Sequence, residues 1–158
     1  MKFYIHKDGF LYSGDMTEGA REATTEEIEE YFNPSKTLEE LKDSAWQRFK
    51  TQRDTLEQSG VPYLNKVIDS DPVSVQRIAI AVQAAQAAIS AGVEFTLDWT
   101  CADNTVLTMT AEQVVGMSVA LAQYSDSLHQ TARGLRERIE KAETVEELAA
   151  IVWPEQTA

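Results

Sequence analysis

The stretch EFTLDWTCADNTVLTMTAEQ, residues 94–113, decides the fold of this chain. It contains two runs in which apolar and polar residues alternate, and Ala102, Asp103 and Asn104 lie between them. Alternating runs on both sides of small turn-forming residues predict a β-hairpin whose threonines face solvent. Trp99 falls on the apolar face, so we expect its ring to anchor the hairpin in the core.

A long helix is predicted directly after this hairpin. The Thr110 hydroxyl can accept an N–H of the first turn while Gln113 reaches back, which is the capping-box arrangement. Apolar residues then recur every three or four positions over about seven turns. Gly134 costs about 1 kcal/mol relative to alanine, which makes it a place for a bend or fraying. The apolar positions are Val114, Met117, Leu121, Tyr124, Leu128, Leu135 and Ile139.

Two more long helices are predicted from their end signals. Thr37 and Glu40 form a second capping-box pattern, and Gly60 ends the helix that follows. Asp71 is the predicted N-cap of a helix that runs to about residue 91, with Pro72 in its first position. An apolar seam on this helix would serve an intramolecular core, a homo-oligomer or a groove for another chain, and the core is the favoured reading. The seam consists of Val75, Ile78, Val82, Ala85 and Ile89.

The remaining segments are shorter. The opening MKFYIHKDGFLYSG predicts a small β-hairpin, because Asp8-Gly9 between alternating runs favours a two-residue turn. A polar linker is predicted next, and then a short acidic helix over residues 25–32 that Asn33-Pro34 ends. Residues 61–72 are predicted to be extended, since they are partly β-branched and lie between a glycine and a proline.

The predicted fold is α+β and mainly α. It is a helical domain of long packed helices with an inserted β-hairpin at about residues 94–109 and a small N-terminal β-hairpin. A short capped helix over residues 142–154 is expected to follow the last long helix. We expect residues 1–35 to hold the N-terminal hairpin and the acidic helix, and residues 36–158 to form the main helical domain.

Composition excludes several classes of partner. The chain has 158 residues, of which 43% are hydrophobic, so it can bury a core of its own. Its formal net charge of -12 argues against nucleic acid and against anionic membrane surfaces. It has no apolar run of about 20 residues and no apolar leader segment, so we expect a cytosolic protein without a membrane span. One cysteine cannot form an intramolecular disulfide.

Motifs for chemistry are weak. A Cys101 nucleophile would need a base, which His6 or His129 could supply only through a tertiary contact. A small hydrolase that uses Cys101, Asp103 and His129 is therefore the less favoured alternative. No zinc-ligand spacing, calcium loop or Gly-rich phosphate loop is present, so we expect no enzyme activity, no cofactor and no metal.

Aromatic residues outside the predicted core are candidates for binding another protein. One rigid aromatic side chain buries a large area, which is why interfaces favour them. The candidates are Phe3, Tyr4, Phe10, Tyr12, Trp46 and Trp153.

Four stretches together resemble a known family. They are QRD at residues 52–54, SGVPYLNKVIDSDPVSVQRI at 59–78, DWTCADNTVLTMTAEQ at 98–113 and LRERIEKAETVEELAAI at 135–151. This succession resembles an uncharacterised C-terminal domain family of tailed bacteriophages and prophages, over about residues 38–152. Its members are often labelled tail fibre assembly proteins. The N-terminal β segment with its DG turn also resembles the start of such proteins.

The resemblance implies a chaperone that binds the receptor-binding tail fibre, or another tail protein, and assists its folding or trimerisation. It implies no catalytic residues. The alternative is a structural virion component, such as a fibre-tip cap or adaptor. The first reading places the protein in the host cytoplasm during phage assembly, and the second places it in the virion.

Overall fold

The computed structural model describes residues 2–9 and 11–154. The described chain divides into two compact units, residues 1–41 and 42–158, and the boundary falls inside the second helix. Helices dominate and the strands form small antiparallel sheets, so the predicted α+β, mainly α class is confirmed.

The strands are β1 (Phe3–His6), β2 (Leu11–Ser13), β3 (Ala20–Glu22), β4 (Val61–Tyr63), β5 (Lys66–Ile68), β6 (Thr96–Thr100) and β7 (Val106–Thr110). The helices are α1 (Thr25–Phe32), α2 (Leu38–Glu57), α3 (Pro72–Ala91), α4 (Ala111–Lys141) and α5 (Val145–Ala149). Each long helix begins at its predicted cap, and α4 continues through Gly134.

The N-terminal unit contains a three-stranded sheet in the order β2-β1-β3. The predicted hairpin of β1 and β2 is present, but the expected two-residue turn at Asp8-Gly9 is wrong. The Gly9 N–H donates to the His6 carbonyl at 2.8 Å, so Lys7 and Asp8 form the centre of the turn. Gly9 follows them at a φ of 86°. This is the geometry of a three-residue hairpin loop, in which glycine takes the left-handed position.

The expected polar linker contains the third strand. β3 pairs with the other side of β1, which no local pattern in this polar segment indicated. The helix α1 has its predicted bounds and begins with a capping box between Thr24 and Glu27. The Arg21 guanidinium of β3 donates to the Glu27 carboxylate at 2.8 Å and lowers the pKa of Glu27 to about 2. Strand, cap and helix are therefore joined at one carboxylate.

The core of the second unit lies between α3 and α4. Three predicted seam residues of α3, namely Ile78, Val82 and Ala85, are buried in it. The two ends of the seam are not buried: Val75 is 41% exposed and Ile89 is 46% exposed. Both line surface hollows. The rest of the buried cluster is Val61, Ile68, Met109, Ala111, Val114 and Met117.

Residues 61–72, predicted to be extended, contain the two extended strands β4 and β5, which pair as a second hairpin. Tyr63 pairs with Lys66, so Leu64 and Asn65 form a two-residue turn with φ angles of 48° and 61°. The Tyr63 hydroxyl donates to the main-chain oxygen of Gln113 at 2.6 Å and holds this hairpin against α4. A leucine rarely takes a positive φ, which is why the sequence did not indicate a turn there.

The hairpin of β6 and β7 confirms the prediction for residues 94–109. The Asn104 N–H donates to the Cys101 carbonyl at 2.9 Å, and Asn104 takes the left-handed φ of 60°. On the solvent face, the Thr108 hydroxyl donates to the Asp98 carboxylate at 2.6 Å. Trp99 is partly buried and packs against the core, and its buried Nε1 has no hydrogen-bond partner among the described residues.

Trp99 provides the first test of this arrangement. We expect Trp99→Ala to lower the free energy of unfolding by about 2–4 kcal/mol, because the ring fills space beside the core. Trp99→Phe should stay within about 1 kcal/mol of the natural chain, since it keeps most of the ring and removes a buried N–H without a partner. Urea unfolding of both variants measures the difference. Equal losses in the two variants would contradict the packing described for the ring.

Two glycines of α4 form a matched pair for a second test. A Cβ atom on Gly116 would lie 2.3 Å from the Tyr63 hydroxyl, whereas one on Gly134 would meet no atom within 4 Å. We expect Gly134→Ala to stabilise by about 0.5–1 kcal/mol through helix propensity. Gly116→Ala should destabilise by about 1–2 kcal/mol because the Tyr63 ring must move and lose its hydrogen bond.

The Tyr63→Phe background is the control for this pair. Without the hydroxyl the close contact is relieved, so the loss caused by Gly116→Ala should shrink there. Thermal and urea unfolding measure the stability of the natural chain, of Gly116→Ala, of Tyr63→Phe and of the double variant. If Gly116→Ala and Gly134→Ala stabilised the natural chain equally, that result would contradict the close contact between Tyr63 of β4 and Gly116 of α4.

Candidate functional site

A groove of about 520 Å³ opens in the second unit between α3, α4 and the end of α2. Its walls are mainly apolar, and Ala79 and Ala122 on its rim are exposed. Concave, mostly apolar sites with a few polar groups are the usual form of ligand and peptide sites. The apolar lining residues are Val61, Pro72, Val75, Ile78, Ala79, Leu121 and Ala122.

A polar cluster lies at one edge of the groove. Glu57, the last residue of α2, faces Ser125 and His129, which lie one turn apart on α4. The Ser125 hydroxyl donates to Oε1 of Glu57, and Nε2 of His129 is 3.8 Å from Oε2. The Glu57 side chain is 36% exposed, so a ligand in the groove can reach its carboxylate.

Ser70 fixes the position of Glu57. Its buried hydroxyl accepts from the Gly60 N–H at 2.9 Å and donates to the Glu57 main-chain oxygen at 2.7 Å. One side chain thus satisfies two main-chain groups at the end of α2. Gly60 has a φ of 105°, and a Cβ atom there would lie 2.6 Å from Val67, so the position requires glycine. The main chain that carries the Glu57 side chain is therefore held in place.

The cluster does not have the order of a catalytic triad. In a triad the serine donates to the imidazole, and the carboxylate orients the other side of that ring. Here the Ser125 hydroxyl donates to the carboxylate, so the His129 imidazole is not the acceptor of its proton. What the arrangement offers is an accessible negative charge beside an apolar wall, which suits a ligand that combines a cation with apolar groups.

The hydrolase alternative lacks its geometry. Cys101 is only 1% exposed, at the end of β6, and His129 faces Glu57. The Asp103 carboxylate accepts from the Thr105 hydroxyl and main-chain N–H and from the Lys66 ammonium. These Thr105 bonds, with the Lys66 cation, hold the pKa of Asp103 well below its usual range. Among the described residues, no hydrogen bond joins Cys101 to His129.

The N-terminal candidates for partner binding are distributed over both faces of the first sheet. Tyr4 and Tyr12 pair directly across β1 and β2, and their ring centres are 5.9 Å apart. Phe3 packs edge-on against Phe32 of α1 at 5.6 Å, which covers the opposite face. Phe10 lies outside the described residues. The structure therefore brings Tyr4 and Tyr12 together as one partly exposed aromatic face.

The two tryptophan candidates lie in the second unit. The Arg136 guanidinium is 5.3 Å from the centre of the Trp46 ring, a cation–π contact between α4 and α2. Trp153 packs against the buried Phe49 ring at 6.3 Å. Both tryptophans are partly buried by these contacts. Their role in binding another protein stays a prediction.

The sequence patterns did not identify the position of this groove or the residues that line it. Its walls come from α3 and α4 and its polar edge from α2, so no single stretch contains it. One signal was available: the small residues Ser118, Ala122 and Ser125 follow the predicted apolar seam of α4 on one flank. Small residues beside a seam leave space next to the helix that packs on it.

Two features are absent from the described residues. No group of three or more His, Cys, Asp or Glu side chains in residues 2–9 and 11–154 could hold a metal ion. No helix within those same residues is long and apolar enough to cross a membrane.

Comparison with known proteins gives one match. The sequence model of a family described as Domain of unknown function (DUF4376) matches residues 40–152. A comparison with the curated proteins and one with the solved structures found no match. The matched region contains the whole groove, both hairpins that flank α3, and all of α3 and α4. The chain belongs to the DUF4376 family.

Proposed function

We propose that this protein is a non-enzymatic chaperone of phage tail fibre assembly, which binds the receptor-binding fibre and assists its folding and trimerisation. The sequence resemblance over residues 38–152 supports the identity of the partner. The structural observation that carries the proposal is an open edge of the N-terminal sheet, where β2 pairs with a strand on one side only among the described residues.

The direction of the main-chain groups of β1 follows from one of its hydrogen bonds. The Phe3 carbonyl accepts from Ala23 on the β3 side at 3.0 Å. Main-chain groups of successive residues point to opposite sides of a strand, so those of Tyr4 face β2. Tyr4 and Tyr12 are thus the hydrogen-bonded pair, and the N–H and carbonyl groups of Ser13 point away from the sheet. An added strand would bond to them.

This edge suits a fibre chain that has not yet trimerised. Unpaired strand edges and exposed apolar surface are aggregation sites until the neighbouring chain covers them. A strand of the fibre added to β2 would occupy its edge groups by β-augmentation, and the Tyr4–Tyr12 face would add aromatic contact area. The net charge of -12 keeps the free chaperone soluble.

Co-expression with a tail fibre gene of the same phage or prophage tests the proposal. We expect soluble, trimeric, host-binding fibre with the protein and aggregated fibre without it, because the exposed edges are then uncovered. Size-exclusion chromatography and a host-cell binding assay measure both. If the fibre is equally soluble, trimeric and host-binding without this protein, and no complex forms, the chaperone function is wrong.

A variant pair at Ser13 tests the docking edge separately. Ser13→Pro removes an N–H that points away from the sheet and leaves the Tyr4–Tyr12 pairing intact, because proline is tolerated on an edge strand. We expect it to weaken fibre binding about tenfold, the loss of about one hydrogen bond. Ser13→Ala keeps the N–H and should bind normally. Equal binding by the two variants would exclude this edge as the docking site.

Mass spectrometry of purified virions separates the chaperone from a structural virion component. A chaperone acts during assembly and should be missing from the particle. A fibre-tip cap or adaptor would be present in fixed proportion to the fibre, and that result would replace the proposed function with the alternative.

A further inference from the structure

We propose that the groove between α3 and α4 binds an apolar peptide segment of a partner protein, and that a lysine or arginine of that segment pairs with Glu57. The groove lies in the second unit and the strand edge in the first, so the two sites are separate. The inference does not depend on the fibre being the partner.

The charges around the groove select the ligand. Glu57 is the one charged side chain among its described lining residues. The helix that forms one wall, α3, carries Arg77 as its single charged residue in 20 positions, in a chain where 25% of residues are charged. The centres of protein interfaces are depleted of charge in this way. An apolar wall that ends in one carboxylate disfavours fatty acids and other anions and favours an amphipathic cation.

The carboxylate has room for another donor. Oε1 of Glu57 accepts from the Ser125 hydroxyl, whereas Oε2 lies 3.8 Å from His129, too far for a hydrogen bond. A carboxylate oxygen accepts more than one hydrogen bond, so a ligand N–H can be added without breaking the Ser125 contact. The main chain of Glu57 is held beside the groove by Ser70, and its carboxylate is held there by the Ser125 hydroxyl.

The shape of the groove favours a side chain that belongs to a longer segment. The methylene groups of a lysine or arginine pack on apolar surface while the charged end reaches a polar partner. Here the stem would lie between Val75 and Leu121 with its charge at Glu57. The exposed alanines Ala79 and Ala122 leave the rim low, so the backbone of a bound segment can continue over it. A peptide therefore fits better than a small molecule, which such a site would leave half uncovered.

Three matched probes test the preference for a cation. Octylammonium, octanol and octanoate are titrated into the full-length, isotope-labelled protein, and amide shifts are followed by NMR. We expect octylammonium to shift amides of Val75, Ala79 and Leu121 and to bind about tenfold more tightly than octanoate. Equal affinity for the three probes, or shifts confined to other surfaces, would overturn the proposal.

Variants distinguish the effect of the Glu57 carboxylate on probe affinity from the effect of the overall negative charge of the protein. Glu57→Gln keeps an acceptor for Ser125 and should bring the affinities for octylammonium and octanol together. Glu137→Gln, on an exposed position of α4, removes the same charge outside the groove and should change neither. Ala122→Trp fills the groove from its exposed rim and should abolish binding of all three probes. If Glu137→Gln acted like Glu57→Gln, the preference would come from net charge alone and the proposal would be wrong.

A peptide pair tests the class of occupant. The first peptide is a labelled 12-residue amphipathic helix with leucines on one face and a single lysine, and the second has glutamate in place of that lysine. We expect fluorescence anisotropy to show binding of the lysine peptide, at least about tenfold tighter than the glutamate peptide, and loss of binding in Ala122→Trp. If octylammonium binds in the groove but neither peptide does, the groove is a small-molecule site and the docking proposal is wrong. These results leave the fibre co-expression outcome unaffected, so the two proposals can fail separately.

Discussion

The packing of α3 along α4 is the contact on which the second unit depends. Ile78 and Val82 of α3 meet Val114 and Met117 of α4, and each of the four is at most 9% exposed. Burial of one such side chain contributes about 1.5–3 kcal/mol, so this seam stabilises the unit substantially. The two hairpins complete the same cluster with Val61, Ile68 and Met109. Neither hairpin would be stable alone, because two isolated strands are marginal in water.

Small residues beside that seam determine where the surface opens. Ala85 is fully buried and allows α3 and α4 to approach closely at the centre of the contact. On the flank, Ser118 and Ala122 are too short to cover Val75, and the groove is the space they leave. Small side chains thus allow tight packing at the centre of the contact between α3 and α4 and leave a concave surface at its side. Glu57 gives that surface its charge, because the Ser70 hydroxyl holds the end of α2 beside it.

The hairpin of β4 and β5 shows how tertiary contacts can override a local preference. Leu64 takes a φ of 48°, which costs a residue of this size about 1–3 kcal/mol. The hairpin is held on two sides: Tyr63 donates to α4, and the Ala102 N–H donates to the Val67 carbonyl at 2.9 Å. Together these contacts can offset the strained turn. The missing side chain of Gly116 is part of this arrangement, since it makes room for the Tyr63 ring.

The sequence by itself determined the three long helices, their N-terminal capping residues and the hairpin of β6 and β7, whereas the last helix is shorter than predicted and spans Val145–Ala149. Each depends on signals within a few residues, such as the Thr110 and Gln113 capping box or Asn104 at the left-handed position of a turn. Only the tertiary structure decided the strand β3, the turn at Leu64 and the groove at Glu57. The residues with which they form hydrogen bonds and packing contacts lie many positions away in the chain. The sequence shows the local conformational preference of each residue, but it does not show which distant residue will contact it and override that preference.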